Sequence, residues 1–215
     1  MKKPLREILA PLSTKDKMKY IWDYYRYHFI IGIIVIAVLS YIIYDATSKK
    51  EDVLNIVITN ELIFPDAVQQ FEEKVNKALL SEDEQDDSRV FIQTLQSSGN
   101  DANMQVGIDL QKLTAQMAAG MIDFYIIDEE VFQQMNEEKQ VHSFLEMSGL
   151  KELTFSDEEV IYSKHDTNDV VGIKVSAINL FDEILPESDK ILCIPITTKN
   201  EEYIARFIEL INSNN

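Results

Sequence analysis

The chain is poor in the residues that most often carry chemistry: in 215 residues it has one cysteine, three histidines and one tryptophan. A lone cysteine, Cys193, excludes an intrachain disulfide and any multi-cysteine zinc or thioredoxin-type site, and it leaves the redox compartment open. Six glycines and five prolines are too few for a collagen-like or low-complexity protein. Phosphate-cradling glycine loops, nucleophile elbows and zinc-protease helices are all missing, since the sequence holds no GxGxxG, Walker loop, GxSxG or HExxH. Positive charge is also scarce. Twenty Lys and Arg face 37 Asp and Glu, a net charge of −17, which argues against nucleic acid as a partner because duplex binding is driven by cations that release counterions.

The deficit is unevenly distributed. Residues 1–50 carry 9 basic and 4 acidic side chains, so the remainder of the chain holds almost all of the negative charge. Within the basic part, Tyr27 to Tyr44 reads YHFIIGIIVIAVLSYIIY, 18 residues without Asp, Glu, Lys or Arg. As a helix this run spans roughly 27 Å, close to the hydrocarbon thickness of a bilayer. Trp22, Tyr24, Tyr25 and Tyr27 gather at one end and Tyr41 and Tyr44 at the other, where aromatic rings favour the headgroup level. The residues therefore predict one transmembrane helix over 27–44. Lys2, Lys3, Arg6, Lys15, Lys17, Lys19 and Arg26 precede it, which predicts a cytoplasmic N-terminus and an extracellular C-terminal domain. A cleavable signal would need small residues before the cut, and Tyr44 occupies that position for a cut after Ala46, so the segment reads as an uncleaved signal-anchor.

Ahead of the span, Ser13 and Asp16 have capping-box spacing, and Met18, Ile21, Trp22 and Tyr25 fall on one helical face. Residues 1–26 thus form a basic amphipathic segment with two readings: an inner contact on the leaflet or a partner, or a solvated tail that only sets topology. A polar linker, 45–52, leads to one domain over 53–215.

That domain alternates strand and helix. Strands are expected at 53–59 (VLNIVIT), 89–96, 122–127, 160–163, 170–178 and 190–197, and helices at 65–80, 108–119, 129–138 and 200–211. Ser81 to Ser88 (SEDEQDDS) reads as an exposed acidic loop. The pattern is that of an α/β mixed sheet with helices on both faces, and it does not decide whether the last strand runs antiparallel.

The phrase LQKLTAQMAAGMIDFYIIDEEVFQQM (Leu110 to Met135) resembles the segment of type 2 periplasmic solute-binding proteins in which a helix ending in Ala118, Ala119 and Gly120 leads into a strand beginning with Asp123. VVGIKVSA (Val170 to Ala177) and CIPITTKNEEYIARFIELIN (Cys193 to Asn212) are similar to later segments of that family. The N-terminal YIWDYYRYHFIIG (Tyr20 to Gly32) is similar to the anchors of single-pass proteins of Gram-positive bacteria. The likeness runs in order over most of residues 53–212 and implies a solute-binding-protein-like fold. Where those proteins carry a second lobe, this chain has only the eleven residues between Ile178 and Lys190. A reduced, one-lobe domain is therefore expected, without the second wall a closing cleft needs.

In open α/β sheets ligands approach the carboxyl ends of the strands, which by these assignments carry Asn60, the loop Ser98, Gly99, Asn100 and Asp101, Asp128, and Thr197. These are the candidate ligand-binding residues. The acids do not compose a calcium loop: neither 83–87 nor 166–169 supplies the glycine such a loop needs at its sixth position, and Val106 occupies it after Asp101. Cys193, between Leu192 and Ile194, reads as a small buried hydrophobe, and His28, His142 and His165 have no metal spacing. The expectation is a non-enzymatic extracytoplasmic domain without cofactor or metal, an accessory or interaction subunit of a membrane complex with the lipid bilayer and a membrane protein as partners. The alternative is a receptor for a small solute, peptide or wall fragment.

Overall fold

The computed structural model describes residues 13–47, 50–60, 64–96, 104–150, 152–186 and 188–214. The chain divides into two compact units, 1–49 and 50–215. In the first, one helix, α1 (Thr14–Thr47), runs for 34 residues without a break. The Ser13 hydroxyl donates to Asp16 Oδ2 at 2.6 Å and accepts from the Asp16 backbone N–H at 3.3 Å, which fixes the helix start. An 18-residue window, Tyr25–Ile42, is long and apolar enough to cross a membrane, and its described side chains are exposed, Ile33, Ile36 and Tyr41 among them. At about 1.5 Å per residue the whole helix is roughly 51 Å long. Residues 14–26 of the amphipathic segment and the apolar run belong to one continuous helix.

The second unit is a mixed α/β domain. In chain order it contains β1 (Glu51–Asn60), α2 (Pro65–Leu79), the short α3 (Glu84–Asp87), β2 (Ser88–Gln96), α4 (Met104–Ala119), β3 (Phe124–Ile127), α5 (Glu129–Glu137), α6 (Phe144–Ser148), β4 (Val160–Tyr162), β5 (Val170–Lys174), β6 (Ile191–Cys193) and α7 (Glu201–Ser213). The six strands form one sheet in the order β2-β1-β3-β6-β5-β4. β1 pairs in parallel with β2 and β3, and β6 is antiparallel to β3 and to β5. The direction of β6, open in the sequence, is therefore opposite to that of β1 and β3.

Period-two alternation in β1 builds two cores. Leu54, Ile56 and Ile58 pack with Phe71 and Val75 of α2, Phe144 of α6 and Ile204, Phe207, Ile208 and Ile211 of α7. Val57 faces the other way, toward Leu113 of α4, Phe132 and Met135 of α5, and Cys193. Phe124 lies 4.8 Å from Phe207, ring centre to ring centre, and Phe71 lies 5.2 Å from Phe181, distances at which aromatic pairs contribute beyond their buried area. The sheet is covered on both faces because each strand offers apolar residues on both sides.

Three expectations change in the structure, and one helix, α6, lies where none is expected. The strand expected over 170–178 stops at Lys174, and Val175–Ala177 and Asn179–Phe181 are 3₁₀ turns that keep Val175, Leu180 and Phe181 buried; an apolar run alone does not separate a buried turn from a strand. The strand expected over 190–197 ends at Cys193, because Pro195 has no N–H to donate and makes only an isolated bridge with Val141. Helix α6 is capped by the Ser143 hydroxyl, which accepts from the Glu146 N–H at 3.4 Å, and is closed by Gly149 at φ 68°. Finally, the acidic loop SEDEQDDS contains α3, started by a reciprocal capping box. Glu84 Oε2 accepts from the Ser81 N–H and hydroxyl, both at 2.9 Å, and the Glu84 N–H donates to Ser81 Oγ at 3.4 Å.

Glu84 also ties α3 to the last helix, since its Oε1 accepts from Arg206 Nη1 at 2.7 Å and from the Tyr203 hydroxyl at 3.3 Å. The Ser81 backbone N–H and then the Arg206 guanidinium hold its carboxyl at about 2, against an ordinary value of 4.5. A depressed folded value gives stability that is present above the unfolded pKa and lost as pH falls toward the folded one. Glu84→Gln should lower the urea midpoint of the full chain at neutral pH, and the difference from the native protein should shrink between pH 4.5 and about pH 2. Parallel urea titrations across that range check it.

Candidate functional site

The carboxyl ends of β1, β2 and β3 meet at one end of the sheet. β1 lies between β2 and β3, its crossovers leave on opposite faces, and the strand order reverses there, the place where α/β sheets take ligands. Asn60 closes β1 in register with Gln96 of β2. Ser98, Gly99, Asn100 and Asp101 lie outside the described residues. Asp128 follows β3 and stands at the N-cap of α5, yet its side chain does not cap the helix. It pairs instead with Lys190, whose Nζ donates to Asp128 Oδ1 at 2.5 Å.

The pair is asymmetric in burial. The Lys190 side chain is 7% exposed and that of Asp128 is 47% exposed, so the cation is sunk into the protein and the carboxylate covers it from solvent. Tyr125, three residues back along β3, is buried, and its phenol is pushed up to about 12 by that burial, by the neighbouring Cys193 and by Asp128. The Cys193 thiol is fully buried, is pushed up by desolvation and donates to the Tyr125 carbonyl at 3.5 Å. A thiol held neutral in this way is a poor nucleophile.

Thr197 is elsewhere. The expectation that it shares an end with Asn60 and Asp128 fails because β6 is antiparallel to β3, so the chain leaving β6 arrives at the amino ends of β1 and β3. There the Thr197 carbonyl lies so close to Gly120, at φ 69°, that a Cβ on residue 120 would collide with it. Gly120 also ends α4: its N–H donates to Met117 O and that of Met121 to Gln116 O, at 3.0 and 2.9 Å. The Thr197 hydroxyl is buried and has no hydrogen-bond partner among the described residues.

At this amino end a second polar group assembles around Asp123, 5% exposed. Asp123 Oδ2 accepts from the Asn55 N–H at 2.8 Å and from Asn200 Nδ2 at 3.4 Å, and Oδ1 accepts from the Thr198 hydroxyl at 2.7 Å. The Asp123 N–H donates back to Asn55 O at 2.9 Å. Asn200 Nδ2 also donates to the carbonyl of Val53, the extra residue of a bulge in β1. Asn55 donates to Met121 O at 2.8 Å and accepts from Gln93 at 2.9 Å. Burial raises the Asp123 carboxyl against the lowering effect of its three donors. A cleft of about 350 Å³ opens beside this group, lined among others by Asn55, Phe91, Gln116, Asp123, Asn200 and Tyr203.

Sequence reasoning noted Asp123 only through a resemblance and did not connect it with Asn55 or Asn200. The available signal was Asn55, a lone amide inside an apolar strand. Lys190 was likewise unpaired until tertiary structure placed it beside Asp128. His165 Nε2 lies 3.0 Å from the Glu137 carbonyl in an exposed loop, and His142 donates its backbone N–H to Ile194 O. Among the described residues no group of three or more His, Cys, Asp or Glu is placed to hold a metal ion.

Two outcomes follow from these geometries. Asp128→Ala leaves a buried ammonium without its partner and should cost about 1–3 kcal/mol, whereas Lys190→Met removes the charge with its burden and should cost less; urea unfolding of the two variants orders them. Asp123→Asn replaces one acceptor oxygen with an NH₂ group facing donors and should cost about 1–3 kcal/mol, read from the same titration. No family model matches the chain, and neither a curated protein nor a solved structure shows significant similarity to it.

Proposed function

We propose that the protein is a single-pass membrane protein whose extracytoplasmic α/β domain works by binding, as an accessory or interaction subunit of a membrane complex. In this reading α1 crosses the bilayer with its basic end in the cytoplasm. The domain is a one-lobe relative of type 2 solute-binding proteins, of the kind anchored on Gram-positive cells. The observation that carries the reading is the Lys190–Asp128 pair: at the carboxyl end of β3, where a ligand of the sheet would approach, a buried ammonium is already covered by a carboxylate. The chain between β5 and β6 supports it as well, since its described residues form two 3₁₀ turns and no second wall. A domain with one wall and a self-paired charge at that strand end suits recognition of a protein surface better than enclosure of a solute.

The cleft beside Asp123 favours the second reading, a receptor for a small solute, peptide or wall fragment held at the amino end of the sheet. The two differ in what stays with the protein. Cross-linking of the tagged full chain in its native membranes, followed by mass spectrometry, should recover one membrane protein in near-equal amount under the first reading. Recovery of the chain alone, with thermal stabilisation by a small molecule that Asp123→Asn abolishes, would replace it with the second. Extraction by alkaline carbonate would refute the membrane span on which both depend.

A further inference from the structure

The N-terminal part of α1 is charged on a pattern that the span does not require. Lys15, Lys19, Trp22 and Arg26 stand at i, i+4, i+7 and i+11 in an unbroken helix, so they share one face, and Phe29 and Ile33 continue the same face into the apolar window. All four are exposed, Trp22 by 59%. Both acids of this part lie on one flank of the stripe. Asp16 is held by the Ser13 hydroxyl, and Asp23, four residues after Lys19 and three before Arg26, stands about 40° and 60° round the helix from them on the same flank, so the other flank carries no acid. Arg26 is held in place at the stripe's inner end: its guanidinium lies 4.8 Å from the Tyr27 ring centre and donates to the Tyr27 hydroxyl at 3.1 Å.

We infer that this stripe binds the phosphate-bearing headgroup of an anionic lipid in the cytoplasmic leaflet. The inference rests on the reading of α1 as a membrane span. Its geometry follows from rise alone. Arg26 and Trp22 are about 6 Å apart along the axis, which is the depth of one headgroup layer. Lys19 lies one turn further out and Lys15 two turns, within the reach of a lysine side chain and a Debye length of about 8–10 Å. Three cations, with the acids confined to one flank, complement a negative leaflet surface, and Trp22 supplies the flat amphipathic ring that settles at this depth. An isolated apolar span would gather lipids without regard to charge, whereas this face selects for it.

Trp22 is the chain's only tryptophan and therefore reports on its own site. The full-length protein is reconstituted in vesicles of equal phosphatidylglycerol and phosphatidylcholine, with brominated acyl chains on one lipid or the other, and Trp22 fluorescence is read. Bromines on phosphatidylglycerol should quench more strongly, corresponding to a preference of about fivefold or more at low salt. The preference should fall toward one in K15Q/K19Q/R26Q and weaken in 1 M salt, where the Debye length is about 3 Å. Equal quenching by the two lipids in the native chain, or an unchanged preference in the triple variant, would overturn the inference while leaving the span intact. Absence of quenching by either lipid would mean that Trp22 is not at a bilayer surface, and would remove the span reading as well.

Discussion

A single buried carboxylate organises the amino end of the sheet. Asp123 takes donors from Asn55 in β1 and from Thr198 and Asn200 in the connection between β6 and α7, so two segments distant from each other and from β3 meet at one side chain. Hydrogen bonds to a charged group contribute about 1.5–3 kcal/mol each, but burial of the ion opposes them, and the raised carboxyl of Asp123 shows that desolvation is the larger effect. The gain is in geometry. An apolar residue at 123 would leave the Asn55 N–H and the Thr198 hydroxyl without this acceptor, and the Val53 bulge would lose the partner that fixes Asn200 beside it.

The direction of β6 follows from the same junction. After the parallel half, β1 to β3, the chain passes through α5 and α6, turns at the β4–β5 hairpin and returns through β6 antiparallel to β3. This return has opposite effects at the two ends of the sheet. It brings Thr197, Thr198 and Asn200 to Asp123 and Gly120, and it leaves Lys190, at the start of β6, beside Asp128 at the end of β3. Burying the Lys190 ammonium is tolerable only with a carboxylate against it. The cation at the end of β3 is thereby satisfied from within, and the cleft beside Asp123 lies at the other end of the sheet.

Much of the local structure was legible because local rules decide it. Pro65 at the start of α2, Gly120 after α4 and the spacing of Ile204, Phe207, Ile208 and Ile211 in α7 are signals that need no tertiary information. Where the reading failed, two solutions shared one pattern. Val175 to Phe181 is as apolar as a strand, and only its packing beneath α2 and α7, with Phe181 against Phe71 and Phe207, makes it a pair of 3₁₀ turns. SEDEQDDS looked like a solvated acidic loop because its composition hides one residue, Glu84, whose partners Ser81 and Arg206 are three and 122 positions away.

By itself the sequence determined the apolar run at 27–44, the basic charge ahead of it and the alternation of strand and helix. All of these depend on residues close together in the chain, where periodicity and composition are sufficient. Tertiary structure alone decided the direction of β6, the union of Asn55, Asp123 and Asn200, the pairing of Lys190 with Asp128 and the separation of Thr197 from Asn60. Each joins segments tens of residues apart, and their energies come from burial and hydrogen bonding between strands whose order no local pattern specifies.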